Sequence, residues 1–275
     1  MTTPVIVVPL DGSEHALVAL PVAKRLAELT DATVHLLHVA RETLPPAEVL
    51  ERIGLTATQL RGSVLGTKAG EPGSAIVQAG RELEAVLIVM CTHSGGDTDK
   101  TLGSTALAVL TDAPCPLVLV RPERGVIPWA LHQALLLHDG TPTISAAIRP
   151  AAELARRAGA EFIVLHVAAP GARLSSEQGS LMAPRYMDQP QHEWPAWGAE
   201  FIERLGCMCP LDALNVRMFL AQGALDDEVR RAAAAHSSDL IVLAWRGEWG
   251  GKHGAVVKTV IHGAPCPVMI LRTKQ

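Results

Sequence analysis

Ala113-Pro114-Cys115-Pro116-Leu117-Val118-Leu119-Val120-Arg121 returns near the end of the chain as Ala264-Pro265-Cys266-Pro267-Val268-Met269-Ile270-Leu271-Arg272. Each copy joins a proline-framed turn to an uninterrupted apolar run, and each closes one half of the 275 residues. The chain therefore reads as one domain duplicated, and either half serves as a control for the other.

Working back from these endings, the halves align. Asp11 and His38 are 27 residues apart, as are Asp139 and His166. A single offset of 128 matches Asp11-Gly12-Ser13 to Asp139-Gly140-Thr141 and Leu37-His38-Val39 to Leu165-His166-Val167. Further on, Gly70 matches Gly223 and the run 87–90 matches 240–243, with an offset larger by 25. The extra residues fall between about 168 and 215, a proline-dense stretch that predicts an irregular insertion near 168–198 with a short helix at Trp197–Leu205. The boundary between the halves is expected at Pro122–Pro128, giving domains 1–122 and 128–275.

Strands are predicted at 5–10, 33–39, 63–68, 85–91 and 116–120, with counterparts at 133–138, 161–167, 215–221, 239–244 and 267–271. They are continuous Val/Leu/Ile runs, the pattern of strands buried on both faces. Segments such as Ala16–Thr30 and Ala146–Ala158 between them have helical spacing. Alternating strands and helices give an α/β fold, a doubly wound parallel sheet in each half. Aromatics are only 3% of a chain that is 48% hydrophobic, so the cores must be aliphatic.

A net charge of −4 without a basic tract argues against nucleic-acid or anionic-membrane partners. No apolar run approaches the ~20 residues of a membrane span, and no leader is evident before Val5, so a cytoplasmic location is expected. Five cysteines do not make a disulfide framework, and Cys207-Met208-Cys209 lacks companion ligands, so no metal is expected.

In such sheets ligands bind at the carboxyl ends of strands. After the first strand comes Pro9-Leu10-Asp11-Gly12-Ser13, and Asp139-Gly140-Thr141 in the second copy. The aspartate could accept hydrogen bonds from an adenosine, or could cap the following helix. After the fourth strand comes Cys91-Thr92-His93-Ser94, and then Gly103-Ser104-Thr105 opening a helix whose free amides could hold phosphate. In the second copy the corresponding stretch is Ala244-Trp245-Arg246-Gly247, followed by Gly254-Ala255-Val256, without the hydroxyls. His38, His166, His93 and His262 have no nucleophile at triad spacing, so no catalytic role is expected.

These residues, together with Gly70-Glu71-Pro72, Leu87–His93 and both Ala-Pro-Cys-Pro strands, resemble a tandem universal stress protein over nearly the whole chain. The resemblance implies two tandem Rossmann-like domains of the adenine-nucleotide α-hydrolase-like kind. Each would have a five-stranded parallel sheet in the order 3-2-1-4-5 with helices on both faces. It implies ATP or another adenine nucleotide as ligand. The site in the first copy would involve Pro9, Asp11, Gly12, Ser13, Val39, Met90, Cys91, His93, Ser94, Gly103, Ser104 and Thr105. Its counterparts are Asp139, Gly140, Thr141, Val167, Gly247 and Gly254. Nucleotide-binding members carry Gly-x2-Gly-x9-Gly-Ser/Thr. Here Cys91 and Ser94 stand at the first two glycines, and eight residues precede Gly103. In the second copy Ala244 and Gly247 stand there, with six residues before Gly254. Binding is therefore expected to be weak and centred on the first copy, in a non-enzymatic stress-response protein. The alternative is a nucleotide-free protein that dimerises or binds partners. The resemblance further implies pairing through the edge strands Leu117–Val120 and Val268–Leu271, within one chain or in a homodimer.

Overall fold

The computed structural model describes residues 3–93, 102–145, 147–168, 180, 198–203, 206, 214–245, 247 and 252–273. The chain packs as two units: Met1–Ala130 with Cys266–Ile270, and Leu131–Pro265 with Leu271–Gln275.

In the first unit the strands are β1 (Val5–Pro9), β2 (Thr33–Ala40), β3 (Ser63–Ala69), β4 (Leu87–Cys91) and β5 (Leu117–Val120). They lie in the order β3-β2-β1-β4-β5 and all run parallel, with Val7 beside His35 on one side and Ile88 on the other. Ile6, Val7 and Val8 are fully buried, and all residues of β4 and β5 are buried, which is the two-sided burial that their unbroken apolar sequence predicts. Beyond β5 the unit gains an antiparallel neighbour, in which Val268, Met269 and Ile270 of β10 (Val268–Arg272) pair with Leu119, Val118 and Leu117. The second unit repeats the arrangement with β6 (Gln133–Leu137), β7 (Glu161–Ala168), β8 (Val216–Gln222) and β9 (Leu240–Trp245), parallel in the order β8-β7-β6-β9. The Thr273 amide donates to the Trp245 carbonyl at 2.9 Å.

The observed strands match the expected ones within a residue or two. The helix expected at Ala16–Thr30 begins instead as a 3-10 turn, Glu14–Val18, followed by α1 (Ala19–Thr30). Pro21 is the reason: without an N–H it is tolerated in the first turn of an α-helix but not deeper. Pro150 acts likewise in the second copy, where a short α6 (Pro142–Ser145) precedes α7 (Ile148–Ala158). Both α1 and α7 end on a left-handed residue, Asp31 at φ 52° and Gly159 at φ 64°, and these are equivalent positions of the repeat.

Two helices in the first unit have little signal in the sequence. They are α2 (Pro46–Ile53), which buries only Val49 and Ile53, and the single turn α3 (Ala57–Leu60), closed by a Thr56–Gln59 capping box. After these come α4 (Pro72–Glu82) and α5 (Ser104–Asp112). In the second unit, helical residues 198–203 (α8) fall on the helix expected at Trp197–Leu205, and Phe201 is buried there. They are followed by α9 (Leu225–Ala235) and α10 (Lys252–Gly263). Most of the predicted insertion, and Cys207 and Cys209, lie outside the described residues.

Candidate functional site

Strand order in the first unit reverses between β1 and β4, the switch point where open α/β sheets leave a crevice. A cavity of about 540 Å³ lies there. Pro9 at the end of β1 with Leu10 and Asp11 after it, Leu37 and Val39 of β2, and Met90, Cys91, Thr92 and His93 at the end of β4 form one wall. Pro72 and Ile76 of α4, and Leu102 to Ala106 at the start of α5, form the other. The loop after the first strand and the glycine that opens α5 thus share one mouth.

Asp11 turns its own loop. Its Oδ1 accepts from the Ser13 amide at 2.9 Å and the Ser13 hydroxyl at 2.6 Å, while Ser13 Oγ accepts from the Ala16 amide at 3.2 Å. Asp139 Oδ1 does the same for Thr141, at 2.9 and 2.6 Å. Because the motif recurs, holding the residue that caps the next helical turn, Ser13 or Thr141, is the general role of this aspartate, and lining the cavity is the additional role of the first copy. Gly12 and Gly140 follow at φ 93° and 85°, the left-handed region open to glycine. A Cβ on Gly12 would sit 2.6 Å from the Arg52 carbonyl oxygen.

His38 and His166 are structural in both copies. Each Nδ1–H donates to the carbonyl of the residue before the aspartate, Leu10 at 2.8 Å and His138 at 2.9 Å, clamping the first loop to the second strand. Burial lowers the His166 pKa, against the opposing effect of its bond to the His138 backbone.

Gly103 is the N-cap of α5, at φ −68°, and no side chain caps it. Its amide donates to the Thr92 carbonyl at 2.8 Å, tying the helix start to the end of β4. Ser104, Thr105 and Ala106 therefore bring first-turn amides, with the positive end of the helix, to the cavity wall. A Cβ on Gly103 would meet only ordinary contacts, at 3.5 Å from Thr92 O and His93 Cα. The protein's own packing would accept alanine here.

Beside it runs a polar chain. Thr92 Oγ1 is 3.0 Å from His93 Nδ1, His93 Nε2 is 3.6 Å from Glu123, and Arg121 donates to Glu123 at 3.2 Å. Burial acts to raise the Glu123 pKa, but its own backbone amide, Arg121 and His93 together hold it below the usual value. The Cys91 thiol donates to the His93 carbonyl, and burial, reinforced by the Asp11 and Glu123 carboxylates, raises its pKa to about 11. It is a neutral side chain rather than a nucleophile at pH 7.

Of the residues predicted for this copy, Pro9, Asp11, Val39, Met90, Cys91, His93, Gly103, Ser104 and Thr105 line the cavity. Gly12 and Ser13 build the adjoining loop, and Ser94 lies outside the described residues. Leu10, Leu37, Ile76 and Thr92 are not among the residues expected for this site, although Leu10 and Thr92 flank ones that are.

The second copy differs at the equivalent positions. Trp245 stands in place of Thr92; both are only 1% exposed, and the indole fills far more volume. Leu10 is replaced by His138, buried and edge-on to Phe201 with ring centroids 4.7 Å apart. Gly254 falls inside α10 instead of before it, and Gly247, at φ 86°, lies against the Arg272 guanidinium. Val167 is in β7, while Arg246 and 248–251 are outside the described residues. Among the described residues no cluster of three His, Cys, Asp or Glu could hold a metal, and no helix is long and apolar enough to cross a membrane.

The universal stress protein family model matches residues 3–121 and again 131–272. A universal stress protein of Thermus aquaticus is 34% identical over 134 residues, covering 42% of this chain and 97% of that protein. Among solved structures, a protein of Pseudomonas aeruginosa PAO1 described as functionally unknown has a TM-score of 0.71 at 17% identity, covering 99% of this chain and 93% of its own. A universal stress protein of Archaeoglobus fulgidus has a TM-score of 0.66 at 17% identity, covering 98% and 96%. At those identities the likeness speaks for the fold, and the two family matches speak for the sequence. The chain belongs to the universal stress protein family and carries two of its Rossmann-like α/β domains in tandem.

Proposed function

We propose that this is a cytoplasmic stress-response protein whose first domain binds an adenine nucleotide weakly, as a sensor rather than an enzyme. The observation that carries the reading is the cavity in which the Asp11 loop meets the uncapped start of α5. Its apolar side, with Leu37, Val39, Ile76 and Met90, suits a purine. Its helix start offers amides to a phosphate, and Asp11 stands at the mouth for a ribose or base donor. Weak affinity follows from Cys91 at a position where the family's binding motif has glycine, because its side chain occupies space the phosphate-facing backbone would otherwise leave open. The thiol is neutral and bonded to the His93 carbonyl, which supports binding without covalent turnover.

Titration calorimetry of the full chain with AMP and with ATP tests the reading. Binding in the high-micromolar to millimolar range is expected, and no heat at millimolar nucleotide removes it. Turnover is tested separately with Mg²⁺, comparing the chain with Asp11→Ala; a rate lost on that substitution would make the protein an enzyme. The same departures from the glycine motif favour a second reading, a nucleotide-free protein that dimerises or binds partners. A native mass spectrum showing only monomer, with no partner in a pull-down, counts against it.

A further inference from the structure

We propose that His138 is a latch on the first loop of the second domain, and that protonating its Nδ1 releases that loop, making this domain acid-sensitive where the first is not. The latch is fixed by directional hydrogen bonds. The Gly140 amide donates to His138 Nδ1 at 2.8 Å, so that nitrogen must be bare. Ser145 Oγ donates to the Thr141 carbonyl at 2.9 Å and lies 3.2 Å from His138 Nε2, so Nε2 carries the hydrogen and donates to Ser145. The ring is therefore neutral, in one defined tautomer, and bridges the two ends of the loop 139–145. It is 4% exposed, and Phe201 closes one side of it.

A proton on Nδ1 turns the acceptor into a donor facing the Gly140 N–H. Gly140 is itself buried, so its amide loses its partner where water does not readily replace it. Among the described residues, two titratable neighbours act on the ring. His166 on β7 donates to the His138 carbonyl and disfavours a second positive charge, while Asp139 in the loop favours one. The helix bearing Phe201 also carries Glu200 and Glu203, both exposed. Burial dominates, and it holds the His138 pKa below the ordinary imidazole value. The sign follows: above about pH 6.5 the open and latched forms are both neutral and the latch is fully stabilising. As pH falls through and below that value the open form takes up the proton first, and the latch weakens. The first domain has Leu10 at this position, so no imidazole there can accept from the loop's own amide; the His38 ring that clamps this loop bonds through an Nδ1–H donor, and His15 within it is exposed.

The test is hydrogen exchange of the full chain between pH 7.5 and 5.5, read by mass spectrometry on peptides spanning 138–145 and 10–17 and corrected for intrinsic exchange. Protection of 138–145 is expected to fall by up to about tenfold relative to 10–17 on acidification, the limit for one proton taken up by an ordinary imidazole in the open form, and His138→Leu is expected to abolish that difference. Equal pH dependence of the two loops, or an unchanged difference in His138→Leu, overturns the proposal. Should that variant fail to fold, side-chain nitrogen NMR of the unsubstituted chain decides. A bare Nδ1 at pH 7.5 that protonates only below pH 6.5, together with the shift of the Gly140 amide, supports the latch. A proton on Nδ1 at pH 7.5 refutes it.

Discussion

Paired alanine substitutions at Asp11 and Asp139 separate what the repeat shares from what only the first copy does. Each removes an Oδ1 that accepts two hydrogen bonds, from an amide at 2.9 Å and a hydroxyl at 2.6 Å. Both carboxylates are exposed, but their partners differ: water can take over much of the bonding lost at Ser13, so Asp11→Ala should cost about 1 kcal/mol, whereas the Thr141 amide and hydroxyl are buried and Asp139→Ala should cost more, about 1–3 kcal/mol. For a unit of this size the first corresponds to a melting point lowered by about 4 °C, and the second to a larger drop. Affinity for AMP should diverge. Asp11→Ala removes a charged acceptor from the cavity mouth and is expected to weaken binding about tenfold, whereas Asp139→Ala leaves it unchanged. Scanning calorimetry reads the first effect and titration calorimetry the second. If Asp11→Ala lowers the melting point but not the affinity, the aspartate braces the Ser13 cap and nothing more, and the assignment of the ligand's position fails.

Gly103→Ala should fold with near-native stability, since its Cβ meets nothing closer than 3.5 Å and φ is −68°, yet bind AMP at least several-fold more weakly in calorimetry. By contrast Gly12→Ala combines φ 93° with a 2.6 Å approach to Arg52 O and should cost about 3 kcal/mol in denaturant unfolding. Leu26→Ala, at a fully buried position of α1, should cost about 2–5 kcal/mol by the same measurement. Cys91 and Cys115, with pKa values raised by burial to about 11 and about 12, should resist alkylation at pH 8 until denaturant is added, as followed by peptide mass spectrometry.

What the sequence could reveal was set by how each feature is encoded. Buried parallel strands must be apolar at every position, so β4 and β5 announce themselves within a residue or two of their ends. α2 buries two side chains in eight residues and leaves almost no periodic trace. The split of the first helix was readable in principle from Pro21, because a missing N–H restricts a proline to the first turn. For the site, the loop residues after each strand were accessible because the fold dictates where a crevice opens. Its apolar walls were not, since Leu37 and Ile76 look like any other core residue until the backbone brings them together.

The duplication makes that division sharper than a single domain could. Atoms that repeat, among them the Asp–Ser/Thr turn, the positive-φ glycine and the histidine clamp on the preceding carbonyl, all satisfy backbone groups at a strand-to-helix junction. They would be needed with or without a ligand, and their recurrence is thus evidence about folding. Evidence about binding comes from the positions that differ. Leu10 and Thr92, themselves buried, border the first copy's cavity, while the same places in the second copy hold His138, whose ring is bonded to Gly140 and Ser145, and the far larger Trp245. Replacing Thr92 with tryptophan therefore asks whether one such change suffices. The first domain should keep its fold only by expelling the indole into the cavity, so AMP binding should be lost while the second domain's exchange protection stays unchanged. Retention of full affinity in that variant would mean the nucleotide does not use this crevice.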